Sequence, residues 1–345
     1  MSPGTHCLVS WLRPGLLFLA TAIPAWAAPQ VDAPLALRDG DSVALVGNAF
    51  FERAQRSGHL ETALLLAGGA DSLRVRNLGW SGDSVFGDAR SYFGPPSEGR
   101  DRLQKAVAEC APQVVLLCYG SEVALTVGRP WTGEPGAADR SAATFEDSVQ
   151  AFVEGYGQLI DAVRKAAGDG LREIVLVTPP PFEQLGAPLP DMSDAQARLE
   201  VVRRAILDLA TARGVRGADL FTALSTPAGT LVQGEEPRTS NGIHHTDAGY
   251  RRAAAALAQA LGLALPSWWG GQGDMLEALR QVVVQKNRLF FHRWRPANET
   301  YLFLFRKHEQ GQNAKEIPMF DPLIQEAEVK VEALRRLCLE GKGDR

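Results

Sequence analysis

From Asp41 onward, short runs of β-branched and apolar residues alternate with longer stretches whose apolar positions recur every three or four residues. The runs Val43–Val46, Leu73–Arg76, Val114–Tyr119, Ile174–Val177 and Ala218–Phe221 predict strands. The stretches 50–67, 145–167, 195–213 and 248–261 predict helices between and after them. Strands that alternate with helices in this way predict a parallel sheet covered by helices, here an α/β unit over residues 28–266. In such sheets ligands bind beyond the carboxyl ends of the strands, so the polar residues just after each strand are where chemistry is sought.

The pattern changes after Leu265. Pro266-Ser267-Trp268-Trp269-Gly270-Gly271-Gln272-Gly273 reads as a linker or cap, followed by a helix over 274–291, the stretch His292-Arg293-Trp294-Arg295-Pro296, and a last helix over 321–338. Residues 267–345 thus predict a helical C-terminal appendage. Its aromatic residues, among them Phe290, Phe291, Trp294 and Phe303, are interleaved with Arg288, Arg293, Arg295 and Arg306. Docking on the α/β unit is the first expectation. The sharper one is that this segment walls the site and stacks on sugar rings.

At the other end, Leu8–Ala27 carries a single charge, Arg13, and the apolar stretch 16–23 precedes Ala25-Trp26-Ala27. This layout predicts a cleaved secretory signal over residues 1–27 and a secreted or periplasmic protein, with a retained N-terminal anchor as the alternative. No later segment is apolar for long enough to predict a stable membrane span.

Of the 345 residues, 36 are Lys or Arg and 40 are Asp or Glu, for a net charge of −4. That balance argues against a nucleic-acid partner. Cleavage would remove Cys7 and leave Cys110, Cys118 and Cys338. Cys118 lies in a strand pattern and reads as a small buried hydrophobe, so no disulfide framework is expected. No His, Cys or Asp cluster has metal-ligand spacing, and neither metal nor cofactor is expected.

Four loops carry the candidate chemistry: Gly47-Asn48-Ala49-Phe50, Asn77-Leu78-Gly79-Trp80-Ser81-Gly82-Asp83-Ser84, Gly120-Ser121-Glu122 and Asn241-Gly242-Ile243-His244. The last stands immediately before a helix capped by Thr246-Asp247. In order and spacing these blocks resemble the SGNH/GDSL hydrolase superfamily, over roughly residues 38–263. The resemblance implies ester hydrolysis on a flavodoxin-like three-layer parallel sheet, with Gly82 as oxyanion glycine and His244 as general base.

Three positions depart from that family's pattern. Gly47-Asn48-Ala49 stands where the family has Gly-Asp-Ser, so a methyl group occupies the nucleophile position and no acyl-enzyme forms there. Asn241 stands where the family has Asp, and Ser121 or Glu122 where it has Asn. The site expected from the resemblance is therefore His244, Asn241, Gly82 and Asn48. Asn241 would accept the imidazole N–H and fix its tautomer without supplying negative charge.

Two literal Gly-Asp-Ser triplets lie elsewhere. Ser42 precedes the first strand and falls at the wrong end of the sheet. Ser84 lies at the rim, where a turn role outweighs that of a displaced nucleophile, because a nucleophile needs a base within reach. His245 is expected to face solvent. Arg53, Gln55 and Glu61 read as a solvated helix face, with Arg53 as a gripping residue at the mouth in the sharper reading. Glu122 is a rim carboxylate that could take a proton from water, bind sugar hydroxyls or pair with Arg53.

Three functions follow. The first is an ester hydrolase acting on a small-molecule or carbohydrate ester, with His244 activating water. The second is a catalytically inactive module that kept the cleft and binds a glycan or envelope partner. The third is an interaction scaffold built on the C-terminal helices.

Overall fold

A computed structural model describes residues 1, 33–126, 144–225, 236–271 and 273–341. The stretch 8–27, read as a secretory signal, lies outside them. Five parallel strands form one sheet: β1 (Ser42–Gly47), β2 (Arg74–Asn77), β3 (Val114–Cys118), β4 (Glu173–Val177) and β5 (Arg216–Ala218), in the order β2-β1-β3-β4-β5. The five-residue run Val114–Cys118 is buried throughout, as is β1. Side chains alternate across the sheet, so Val43, Leu45, Val114, Leu116 and Cys118 enter one core and Ala44, Val46, Val115 and Leu117 the other.

Helices close both faces. On the first lie α1 (Ala49–Ser57), α2 (His59–Ala67) and α8 (Asp247–Ala260); on the second lie α3 (Pro96–Cys110), α5 (Phe145–Ala167) and α6 (Ser193–Ala212). Two short helices, α4 (Ser121–Leu125) and α7 (Leu220–Leu224), follow β3 and β5. The appendage consists of α9 (Asp274–Trp294), two single turns α10 (Glu299–Leu302) and α11 (Lys307–Gln310), and α12 (Phe320–Leu339). It belongs to both cores: Leu279, Val283 and Val331 join the first, Phe290 and Ile324 the second. Among the described residues no helix is long and apolar enough to cross a membrane.

The sequence pattern placed four of the five strands, while the fifth, Arg216–Ala218, shares only Ala218 with the expected Ala218–Phe221, and the differences have local causes. The helix expected over 50–67 is two helices. Gly58 adopts φ 73 and lets α1 end with its N–H on Ala54 O, 2.9 Å away. The fifth strand ends at Ala218 rather than Phe221, because Asp219 caps α7 by accepting from Thr222 N. Glu61 does not face solvent: it is buried against Lys286 of α9, whose Nζ lies 2.7 Å from its carboxylate. That same Nζ donates to Val75 O at 2.9 Å, on the outer side of the edge strand β2.

Candidate active site

The strand order reverses between β1 and β3, which makes the crevice beyond their carboxyl ends the expected ligand site of an open α/β sheet. Asn48 stands at that point. It follows β1, caps α1 through its Oδ1, and sends its Nδ2 to Ser121 Oγ and Glu122 Oε2, each at 3.0 Å. One amide thereby ties the loop after β1 to the loop after β3. Ala49 is the first residue of α1 and is half-buried.

Glu122 Oε2 also accepts from Gly120 N at 3.1 Å, while its Oε1 is enclosed without a hydrogen-bond partner among the described residues. Burial pushes its carboxyl up to about 7, against the donors that favour the charged form. Of the roles expected for Glu122, pairing with Arg53 is replaced by this contact with Asn48.

The second loop reaches the crevice because Gly79 lies directly on α1: a Cβ there would come within 2.3 Å of Glu52 N. Asn77 holds the turn, donating to Phe51 O at 2.6 Å and accepting from Gly79 N at 2.9 Å. Trp80 N then bonds Gly47 O at 2.9 Å. Gly82 adopts φ +80 and is exposed.

Beneath it Asp83 is buried, accepting from Arg90 Nε at 2.6 Å and from the Tyr119 hydroxyl at 2.9 Å. Ser84 is buried too. Its hydroxyl donates to Asp88 and accepts from Phe86 N at 3.1 Å, which makes it a turn residue. Ser42 Oγ donates to Cys110 O at 3.2 Å, at the opposite end of β1.

The fourth loop carries two histidines. Asn241 Oδ1 accepts from the backbone N–H groups of Ile243 (3.2 Å) and His244 (2.8 Å), so its side chain shapes the loop rather than orienting the imidazole. His244 is half-buried, and burial together with the nearby Arg53 guanidinium lowers its pKa. It is therefore neutral at neutral pH.

His245 does not face solvent as its place in the sequence suggests. Its ring packs 5.2 Å from Phe50 and 5.3 Å from Tyr250, and burial depresses its pKa to about 4. That aromatic contact holds the fourth loop over the first turn of α1. Ala49 and His244 are thus each one residue from a touching pair.

Sequence reading missed the support that the appendage gives to the second loop. Arg295 lies 3.5 Å over the Trp80 ring and donates to Glu52 Oε2 at 3.1 Å, and Glu52 in turn accepts from Ser81 N. Trp294 meets Trp80 edge-on at 5.8 Å. The faces expected to stack on sugar are in part used for this packing. Only the Arg-aromatic run signalled the contact, because its partners lie more than 200 residues away. Among the described residues no group of three or more His, Cys, Asp or Glu side chains could hold a metal.

Several solved structures resemble the chain. A gut microbial diltiazem-metabolizing enzyme, BT4096, aligns with a TM-score of 0.56 at 9% identity, over 87% of this chain and 96% of its own, which shows a shared fold. Axe2, an acetylxylan esterase from Geobacillus stearothermophilus, gives a TM-score of 0.44 at 16% identity, over 68% of this chain and 100% of its own. LAE5, an α/β hydrolase enzyme from the metagenome of Lake Arreo in Spain, gives 0.43 at 19%, over 66% and 97%. No curated protein matches the sequence. The model of the GDSL-like Lipase/Acylhydrolase family matches residues 40–252. With more than half of its length matched, and a parallel α/β sheet that ends in the loops described above, this chain belongs to that family.

Proposed function

We propose that the protein hydrolyses acyl esters of carbohydrates by direct attack of water, with His244 as the base. The observation that carries this reading is the contact of His245 with Phe50, which packs the loop bearing His244 over the turn that bears Asn48 and Ala49. The imidazole takes a proton from water as the water oxygen adds to the acyl carbon. Negative charge then develops on the former carbonyl oxygen, and the backbone N–H groups of Gly82 and of the Asn48 turn hold it. On collapse the imidazolium returns the proton to the leaving alkoxide, giving an acid and an alcohol. Asn241 acts as a positioning residue through the His244 backbone. Carbohydrate is the proposed substrate because the Arg53 guanidinium, which lies near His244, suits hydroxyl-rich ligands. Export of the mature chain is part of the same proposal, resting on residues 1–27.

Purified protein tested on aryl acetates and acetylated glycans should turn over without a burst, since no acyl-enzyme accumulates. His244→Ala should reduce the rate about 10²- to 10⁴-fold. Turnover that survives this change would overturn the mechanism. The second reading, a binding module, is favoured by the methyl of Ala49 and by the lack of a carboxylate in the Asn241 position. Retention of acetylated glycans without hydrolysis across the ester panel would select it.

A further inference from the structure

Behind the second loop, a cavity of about 190 Å³ lies between α3 and the chain that follows α9. Its lining includes none of Asn48, Ala49, Gly82 and His244, so it is distinct from the crevice at the β1–β3 junction. Trp294 and Phe303 give it aromatic surface, Phe303 being 47% exposed, while Trp80 lines it with its ring beneath the Arg295 guanidinium. At about 190 Å³ it is smaller than the pockets that usually take drug-sized ligands and is of a scale for a small ligand such as one sugar ring.

The cations around the cavity are matched by carboxylates. Arg90 is paired with Asp83, Arg293 with Asp321, and Arg102 with both Glu98 and Glu299. Lys105 and Glu109, one helical turn apart on α3 and both exposed, line it as well. A wall with this balance holds no net positive field for an anion, yet it offers donors and acceptors side by side. Two of the lining residues also carry unmet donors: Arg90 Nη1 and Trp294 Nε1 are enclosed and make no hydrogen bond among the described residues.

We infer that this cavity binds one neutral pyranose residue of a glycan. Aromatic rings take the C–H faces of the sugar, and Lys105, Glu109 and Glu299 take its hydroxyls. The inference rests on the carbohydrate half of the proposed function and requires no turnover.

The full chain is titrated with xylotetraose, cellotetraose, mannotetraose and tetragalacturonate, followed by calorimetry and tryptophan fluorescence. At least one neutral tetrasaccharide should bind. Binding should be at least tenfold weaker in the Lys105→Ala/Glu109→Ala variant, whose two changes are exposed and leave the thermal midpoint in place, and unaltered in His244→Ala. Equal affinity in the double variant, preference for the uronate, or no binding of any neutral oligosaccharide would overturn the inference. Binding without ester hydrolysis removes the proposed mechanism and leaves this site. Hydrolysis of acetylated glycans with unchanged kcat/KM and affinity in the double variant removes this site and leaves the mechanism.

Discussion

Two adjacent histidines in the fourth loop meet different environments, and only one of those environments is written nearby in the sequence. His244 is signalled by its block and its place before a capped helix. His245 is fixed by Phe50, almost 200 residues earlier, and by Tyr250. Its pKa of about 4 and that of Glu122, about 7, give the folded state two opposing pH dependences. The unfolded chain protonates His245 near pH 6.5, so the stability from keeping it neutral is complete above that pH and is lost as the pH falls toward 4. Glu122 works the other way: its contribution is complete below pH 4.5 and is lost as the pH rises toward 7. Relative to the native protein, His245→Phe should therefore lose stability as the pH rises from about 4 to 6.5. Glu122→Gln should gain it as the pH rises from 4.5 to about 7. Each change is on the order of 2–3 kcal/mol. Urea unfolding across this range measures both, and profiles identical to the native one would refute the assignments. At the neighbouring position, Ala49→Ser should restore labelling by a fluorophosphonate, and His244→Ala should abolish that labelling. A serine that stays unlabelled would show that the imbalance between loop one and loop four is spatial as well as chemical.

At the level of elements, the strands were legible because runs such as Val114–Cys118 are apolar throughout, as strands buried on both faces must be. Two features were hidden. Helix α3 is largely polar and begins with Pro96, so its apolar positions, Leu103 and Val107, give little periodic signal. The division of 50–67 at Gly58 was masked by continuous helical spacing on either side. That division is set from outside: α9 passes so close that a Cβ on Gly58 would lie 2.9 Å from Val284 Cγ2 and 3.2 Å from Arg280 O. Gly58→Ala should cost about 1–2 kcal/mol for the left-handed conformation alone, with the contact adding to it. A thermal midpoint unchanged by this substitution would mean that α9 yields easily. The site is thus built on elements whose junctions answer to the appendage, as the path from Arg295 through Glu52 to Ser81 also shows.

For the whole molecule, the appendage is continuous with the α/β unit in packing, although the sequence reads as a linker between them. The expectation that Glu61 faces solvent failed for this reason, since its partner comes from the appendage. Lys286 is buried, and burial lowers its pKa against the pull of Glu61. Lys286→Ala leaves that carboxylate uncompensated and should cost about 3–5 kcal/mol, whereas Lys286→Met with Glu61→Leu should recover most of it. Chemical denaturation of the two variants decides the point, and equal losses would deny that the pair is coupled. The third bond of this ammonium, to Val75 O, has a further consequence. An outermost strand with bare carbonyls invites a neighbour's strand to add to it, the route by which parallel sheets grow from one molecule into the next. Here the outward carbonyl of Val75 is taken by a cation anchored from another part of the same chain, so that acceptor is closed to an incoming strand.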